Sequence, residues 1–417
     1  MTSKTNNYNM GNNAMIQGRD IVIVGQQPWD VEIGSNCKNL ALEFSKHNRV
    51  LYVNSPLDRI TMMKKKGDPK VKKRIAVIQH KEKGLVSIQD NLWNLYPDQM
   101  IESINWIKSH GLFSVFNKIN NKRFASPIQQ AIMQLGFHNI ILFNDNDMFR
   151  SFYLKDFLKP AVSVYYSRDN MVAVDYWKHH GVGLEPQLIA KSDVCVANSP
   201  YLASYCRQYN PQSYYVGQGC ELEAFTGLKD KSLPADIKGI PRPVIGYVGA
   251  LQSIRLDIEL LAYIAEQRPQ WSIVLVGPED EEFKASRLHS IKNIYFLGGK
   301  KPDELPKYIN AFDVCLNPQL VNPVTIGNYP RKIDEYLAMG KPVVATATEA
   351  MSIFSAHTYL AVTKDDYLEL INKALVEDTQ QLQEQRIAFA ASHTWENNAG
   401  EIYKAINAAA GNRAAAM

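Results

Sequence analysis

The segment Pro330-Arg331-Lys332-Ile333-Asp334-Glu335-Tyr336-Leu337-Ala338-Met339-Gly340-Lys341-Pro342-Val343-Val344-Ala345-Thr346 reads as a loop, a helix, a glycine stop and a buried parallel strand. Proline is tolerated where a helix begins because its missing N–H would be unbonded there anyway, and Gly340 suits the left-handed residue that closes a helix. Lys332 and Glu335 stand three apart and share a face near the helix N-terminus. Free backbone N–H groups and the positive end of the dipole favour phosphate at that end. A lysine for a diphosphate beside a carboxylate for ribose hydroxyls makes this short segment a candidate nucleotide site. The alternative is an ordinary helix–strand unit with a charged exposed face.

Working outward, the chain has 417 residues, enough for two α/β domains with separate cores. Hydrophobic residues make up 46% and charged residues 21%, as in soluble globular proteins. The net charge of +4 is too small to argue for nucleic acid, and no nucleic-acid motif is present. Five scattered cysteines (Cys37, Cys195, Cys206, Cys220, Cys315) without a CxxC pair fit a reducing compartment better than a disulfide framework. No His/Asp/Glu spacing marks a metal site, so none is expected. The polar N-terminus lacks a signal-peptide core, and no apolar run is long enough to span a membrane. The expected location is the cytoplasm, with contact at the inner face of the plasma membrane as an option.

Short β-branched runs recur in the first half at Asp20–Gly25, Arg49–Asn54, Asn139–Asn144, Val162–Tyr166, Asp193–Asn198 and Ser213–Gly217. Helix-like segments lie between most of them, which implies parallel sheets covered on both faces. The charged, Pro-rich stretch Lys229–Pro243 is the expected linker. A second series follows: Val244–Val248, a helix near Leu256–Gln267, then Trp271–Val276, Ile294–Leu297, Asp313–Leu316 and Pro342–Ala345. The fold class is therefore α/β, with two Rossmann-like doubly wound parallel-sheet domains facing a central cleft. The expected division is 1–235, 236–395, and a C-terminal helix with a frayed tail over 396–417 that could cross back to the first domain.

The ordered pieces Ile245-Gly246-Tyr247-Val248-Gly249, Trp271–Gly277, Asn293–Gly298, Leu305-Pro306-Lys307-Tyr308, Phe312-Asp313-Val314 and the opening segment together resemble the donor domain of GT-B glycosyltransferases, close to the large retaining family 4 group. Gly217-Gln218-Gly219-Cys220-Glu221 before Phe225 is similar to the turn that ends that family's acceptor domain, and Phe143–Asn170 resembles a subset acting on bacterial cell-surface polysaccharide. The resemblance implies transfer of a sugar from a nucleoside-diphosphate sugar, UDP- or GDP-linked, to a saccharide or lipid-linked acceptor. It implies no separate cofactor, no metal, and retention of anomeric configuration. Carried over residue by residue, it places backbone approach to the donor at Gly249, diphosphate on Arg255 and Lys332, ribose on Glu335, and base contacts along Phe296, Leu297 and Gly298.

Two departures stand out. Where relatives carry an arginine directly after the first-turn glycine, this chain has Ala250. Where they carry a first glutamate eight positions before Glu335, it has Gly327, leaving Thr325, Asn328 or backbone N–H groups to meet the donor sugar. The other possibility is a subset that keeps only the lysine and second glutamate, in the manner of some exopolysaccharide glucuronosyltransferases. A degenerate nucleotide-sugar binding module and a sugar-nucleotide epimerase of the same architecture are the competing functions.

In the first half, Gly34-Ser35-Asn36 opens a helix, with Gly34 and Asn36 placed toward the donor phosphates and Ser35 or Asn36 as its cap. Asp169, after the strand Val162–Tyr166, is the leading candidate for an acceptor contact or base. Asp30 and His180 are further catalytic candidates, the alternatives being a solvated loop carboxylate and a structural histidine. The lysine-rich stretch 60–83 and the aromatic and basic stretch 104–123 are candidates for docking on anionic lipid; otherwise they are a solvated loop and a packing helix.

Overall fold

The computed structural model describes residues 15–30 and 35–416 of the chain, with side chains as far as residue 410. Buried β-branched runs form β1 (Asp20–Gly25), β2 (Arg49–Val53), β3 (Leu85–Gln89), β4 (Leu92–Leu95), β5 (Ile141–Asp145), β6 (Val162–Ser167), β7 (Val194–Ala197) and β8 (Ser213–Tyr215). They make one sheet in the order β3-β4-β2-β1-β5-β6-β7-β8, parallel except for the antiparallel β3–β4 pair. A second, fully parallel sheet holds β9 (Val244–Val248), β10 (Ser272–Val276), β11 (Ile294–Phe296), β12 (Val314–Asn317), β13 (Val343–Thr346) and β14 (Tyr359–Ala361) in the order β11-β10-β9-β12-β13-β14. Each sheet has apolar clusters on both faces, as the continuous hydrophobic strands require. These are the two doubly wound α/β domains expected.

Strand order reverses between β1 and β5 in the first sheet and between β9 and β12 in the second. Crevices open at the carboxyl ends of strands where order reverses, so these two points define where ligands bind.

Three elements differ from the sequence reading. The β3–β4 hairpin went unrecognised; Asn91 turns it with φ of +63°, a left-handed conformation asparagine tolerates. The lysine-rich stretch is no loop but carries the helices Arg59–Lys64 and Pro69–Ile78, the second burying Val71, Arg74 and Val77. The last helix, Trp395–Ala416, runs through the segment for which the sequence suggested a frayed tail. Its Ile402, Tyr403 and Ile406 belong to the core of the first sheet, and Asn398 Nδ2 donates to the carbonyls of Val216 (2.8 Å) and Gly217 (2.9 Å).

Candidate nucleotide and acceptor cleft

The helix Arg331–Ala338 begins after Pro330, and Gly340 follows it at φ of +70°. Its apolar side, Ile333, Tyr336 and Leu337, is fully buried, which turns Lys332 and Glu335 toward the carboxyl ends of β9 and β12. Asp334 locks the first turn from behind. Wholly buried, it accepts from Tyr329 Oη (2.8 Å) and Cys220 Sγ (3.1 Å) and pairs with His393 Nδ1 at 2.5 Å. The helix N-terminus is thus pinned to both segments that run between the two domains.

In front of this helix lies a cavity of about 400 Å³, lined by Gly249, Arg255, Asn317, Asn328, Lys332 and Glu335 among others. Gly249 has φ of +141°, and a Cβ there would stand 2.2 Å from Lys332 Cε and 2.6 Å from its Nζ. A side chain at this position would displace the lysine, so the first turn requires glycine. The ammonium rests 5.3 Å from the Tyr247 ring centre and forms no ion pair among the described residues. Glu335 has no hydrogen-bond partner among them. Burial pushes its carboxyl up from the ordinary range, opposed by Lys332 and Arg331. Asn317 Nδ2, Asn328 Oδ1 and Arg331 Nε are likewise buried without partners. Buried polar groups are costly when unbonded, so several around one cavity mark a place where a polar ligand completes the bonding. Asn317 and Arg331 were missed in the sequence; their only signal was position, one at a strand end and one at a helix start.

Thr325 lines the same cavity but is 1% exposed, and its hydroxyl is spent on its own loop, accepting from Asn322 N and donating to Leu320 O. Phe296 ends β11, with Leu297 and Gly298 after it, and none of the three lines this cavity; Phe296 stacks on His289 at 3.9 Å, and Leu297 packs into the core. The missing first glutamate has a structural reason. Gly327 O accepts from Ser199 Oγ of the first domain at 2.7 Å, and a Cβ there would come within 2.9 Å of Tyr201 Cδ1 and 3.1 Å of Leu202 Cδ2. The loop carrying Gly327 is seated on the helix Pro200–Arg207, and a glutamate there would have to push Tyr201 and Leu202 aside.

Across the cleft, Asp169 follows β6. Arg168 bridges Asp145 at the end of β5 (Nε to Oδ1, 2.7 Å) and Asp169 (2.7 Å), and Asn146 Nδ2 donates to the Asp169 carbonyl at 3.2 Å. Gly25 at the end of β1 leaves room for Asp145, since a Cβ there would lie 2.9 Å from Asp145 Cβ. The Asp169 side chain is 38% exposed. Burial raises its pKa, countered in part by Arg168, raised further by Asp145, and lowered by Arg255 across the cleft. The next residue, Asn170, donates to Pro323 O at 2.9 Å, which ties the loop carrying Asp169 to the second domain.

The remaining candidates are placed elsewhere. The Asp30 carboxylate is held by Arg74 through two bonds of 2.8 and 2.9 Å. Burial raises the Asp30 pKa, but the Arg74 hydrogen bond and charge outweigh it, for a net lowering. His180 is 1% exposed, stacked on Phe113 at 3.7 Å and bonded to Ile107 O, away from the nucleotide cavity. Ser35 is the helix cap, accepting from Lys38 N, and Asn36 Nδ2 donates to Gln218 Oε1 at 2.8 Å. Gly34 lies outside the described residues.

With this geometry in view, residues 242–377 match the family described as Glycosyl transferases group 1. The match lies within the second domain. A putative teichuronic acid biosynthesis glycosyltransferase, TuaH of Bacillus subtilis, is 26% identical over 222 residues, 51% of this chain and 56% of that protein. The match thus spans little more than half of its curated relative. Among solved structures, an α,α-trehalose-phosphate synthase from Burkholderia vietnamiensis superposes with a TM-score of 0.66 at 11% identity over 95% of this chain and all of the other. The sucrose-phosphate synthase of Thermosynechococcus elongatus gives 0.62 at 15%, and HepE of Anabaena, solved with UDP, gives 0.56 at 15%; each covers 96% of this chain and all of its own. These likenesses show the fold: GT-B.

Proposed function

We propose that the protein transfers a sugar from a nucleoside-diphosphate sugar to a saccharide or lipid-linked acceptor in cell-surface polysaccharide synthesis. The observation that carries this reading is the cavity between β9 and β12, where Lys332, Arg255, Glu335 and unpartnered amide and guanidinium atoms converge opposite Asp169. Lys332, Arg255 and the N-terminus of the helix Arg331–Ala338 hold and neutralise the leaving diphosphate without a metal, and Glu335 accepts from the ribose hydroxyls. UDP is the first candidate nucleotide, because HepE binds it and the Burkholderia enzyme is UDP-forming; GDP is the second. With Gly327 seated on the first domain, Asn328 and loop backbone meet the donor sugar.

Asp169 orients the acceptor hydroxyl. Its Oδ2 already accepts from Arg168, which weakens it as the general base an inverting displacement needs. A retaining transfer, in which the leaving phosphate takes the acceptor proton, makes no such demand. The domains divide, in this reading, near residues 235 and 395.

The acceptor side carries a second cavity of about 590 Å³, running from Gln26 at the end of β1 past Ile104 and Phe113 to Trp106 and Trp177. Trp106 is 74% and Met63 71% exposed, and Leu112, Val115 and most lysines of the 60–83 helices are exposed as well. This apolar and basic face docks on an anionic membrane and receives a lipid-linked acceptor. No helix among the described residues is long and apolar enough to cross a membrane. The deciding experiment incubates the protein with radiolabelled UDP- and GDP-sugars and lipid extract from a polysaccharide-producing bacterium. Labelled lipid-linked product with release of nucleoside diphosphate supports the proposal, and the anomeric configuration of the product tests retention. Nucleotide binding without product returns the degenerate-module reading.

A further inference from the structure

His110, His179 and His180 lie together on the first domain, and their ring nitrogens come within 4.8 Å of one another. Sequence spacing conceals the group, because His110 stands 70 residues from His180. His110 opens the long helix His110–Leu135, whereas His179 and His180 lie in the second turn of the helix Asp175–Lys191. The cavity beside them, about 440 Å³, shares no lining residue with the nucleotide cavity.

Their hydrogen bonds determine which nitrogens are available. His180 Nε2 lies 2.7 Å from Ile107 O and His179 Nε2 lies 3.0 Å from Lys108 O. A carbonyl only accepts, so both Nε2 atoms carry hydrogen, and in the neutral rings both Nδ1 atoms carry lone pairs. Donation of the outer ring N–H to a backbone carbonyl is how metal-ligating histidines are oriented and made more basic. His110 Nδ1 stands 3.2 Å from His180 Nδ1. Two nitrogens bound tetrahedrally to one ion at about 2.0–2.1 Å are separated by about 3.3 Å, so these two already have the spacing of a shared metal. Phe113, stacked on His180 at 3.7 Å and 19°, fixes that ring, while the more exposed His110 and His179 can adjust.

We propose that His110, His179 and His180 bind one transition-metal dication, Zn²⁺ by ligand chemistry, with water completing the tetrahedron. Imidazole ligands without thiolate or carboxylate suit zinc and its borderline neighbours and disfavour Mg²⁺ or Ca²⁺. The ion staples the start of the helix His110–Leu135, which carries exposed Leu112 and Val115, to the helix that follows the Asp169 loop. In the metal-free state the His110 Nδ1 proton bridges to His180; binding replaces that proton by the metal and moves His110 to its Nε2–H tautomer.

The test titrates chelator-stripped full-length protein with Zn²⁺ alone, by calorimetry and by thermal melting. His110→Ala and His179→Ala serve as variants because their side chains are exposed; His180→Ala is avoided because that ring is core. One equivalent should bind and raise the melting temperature, with each variant weakening affinity beyond the 10–100-fold typical of losing an outer-shell partner. Both variants should keep wild-type melting behaviour in the presence of chelator. Absence of a tight equivalent, or an equivalent that both variants retain unchanged, overturns the proposal. Mg²⁺ binding at these residues in preference to Zn²⁺ overturns the metal assignment.

Discussion

Replacing Lys332 by alanine tests the nucleotide cavity most directly, because the structure separates what this side chain does for binding from what it does for folding. Its ammonium forms no ion pair among the described residues and rests over Tyr247 at 5.3 Å. A cation–π contact at such a site is worth about 0.5–1 kcal/mol. At roughly 2–4 °C per kcal/mol for a domain of this size, the melting temperature should fall by no more than about 4 °C. Toward a diphosphate the same ammonium makes charge-assisted bonds worth roughly 1.5–3 kcal/mol. That corresponds to about 10- to 150-fold weaker binding. Calorimetric titration with UDP, and with GDP in parallel, measures the ratio, and a melting curve supplies the folding control. Affinity within twofold of wild type, with a normal melting curve, would refute the placement of the diphosphate on Lys332. A fall of more than 10 °C would refute the claim that the ammonium is free of structural duty.

Glu335→Gln should flatten the pH dependence of nucleotide binding. Because burial raises the Glu335 pKa, protonation begins at a higher pH than in a free glutamate, and wild-type affinity should be lost as pH falls through that raised value. The sign for folding is opposite: a carboxyl that holds its proton more tightly when folded stabilises the unliganded protein at acid pH, and this is lost as pH rises. Gly327→Glu should not raise turnover and should loosen the seat on Tyr201 and Leu202, seen as faster proteolysis between the domains; a gain in turnover would show that the loop accommodates the acid. Asp334→Ala removes the common partner of His393, Tyr329 and Cys220 and should cost about 3–5 kcal/mol. That is roughly 6–20 °C in melting temperature, and a change near zero would mean the lock carries no strain when opened.

The pieces legible in the sequence are those whose signal is local. Parallel strands appear as continuous β-branched runs, and the i, i+3 spacing sets Lys332 and Glu335 on one face whatever the rest of the chain does. What the sequence hid depends on distant partners. Asp334 reads as one more helix-surface acid until His393, 59 residues away, is brought against it. Asn317 is unremarkable among strand residues until β12 ends at the cavity. Asp30 and His180 have reactive side-chain types, yet Arg74 and Phe113, neighbours only in three dimensions, occupy them. The β3–β4 hairpin escaped because its strands are short and its turn residue is an asparagine rather than a glycine.

The chain passes between the domains twice, and the two passages touch. Cys220 N donates to His393 O at 2.9 Å, and a Cβ on Gly219 would come within 2.3 Å of the Trp395 ring. A doubled crossing of this kind works like the paired leaves of a door hinge. It leaves one axis of rotation and resists twisting or sliding of one domain past the other. It also makes the donor domain an insertion within the first domain rather than a neighbour beside it. Exchange of that domain between related chains, by evolution or by hand, therefore needs two matched junctions, and a chain cut after the second sheet would bare the apolar face on which its last helix lies.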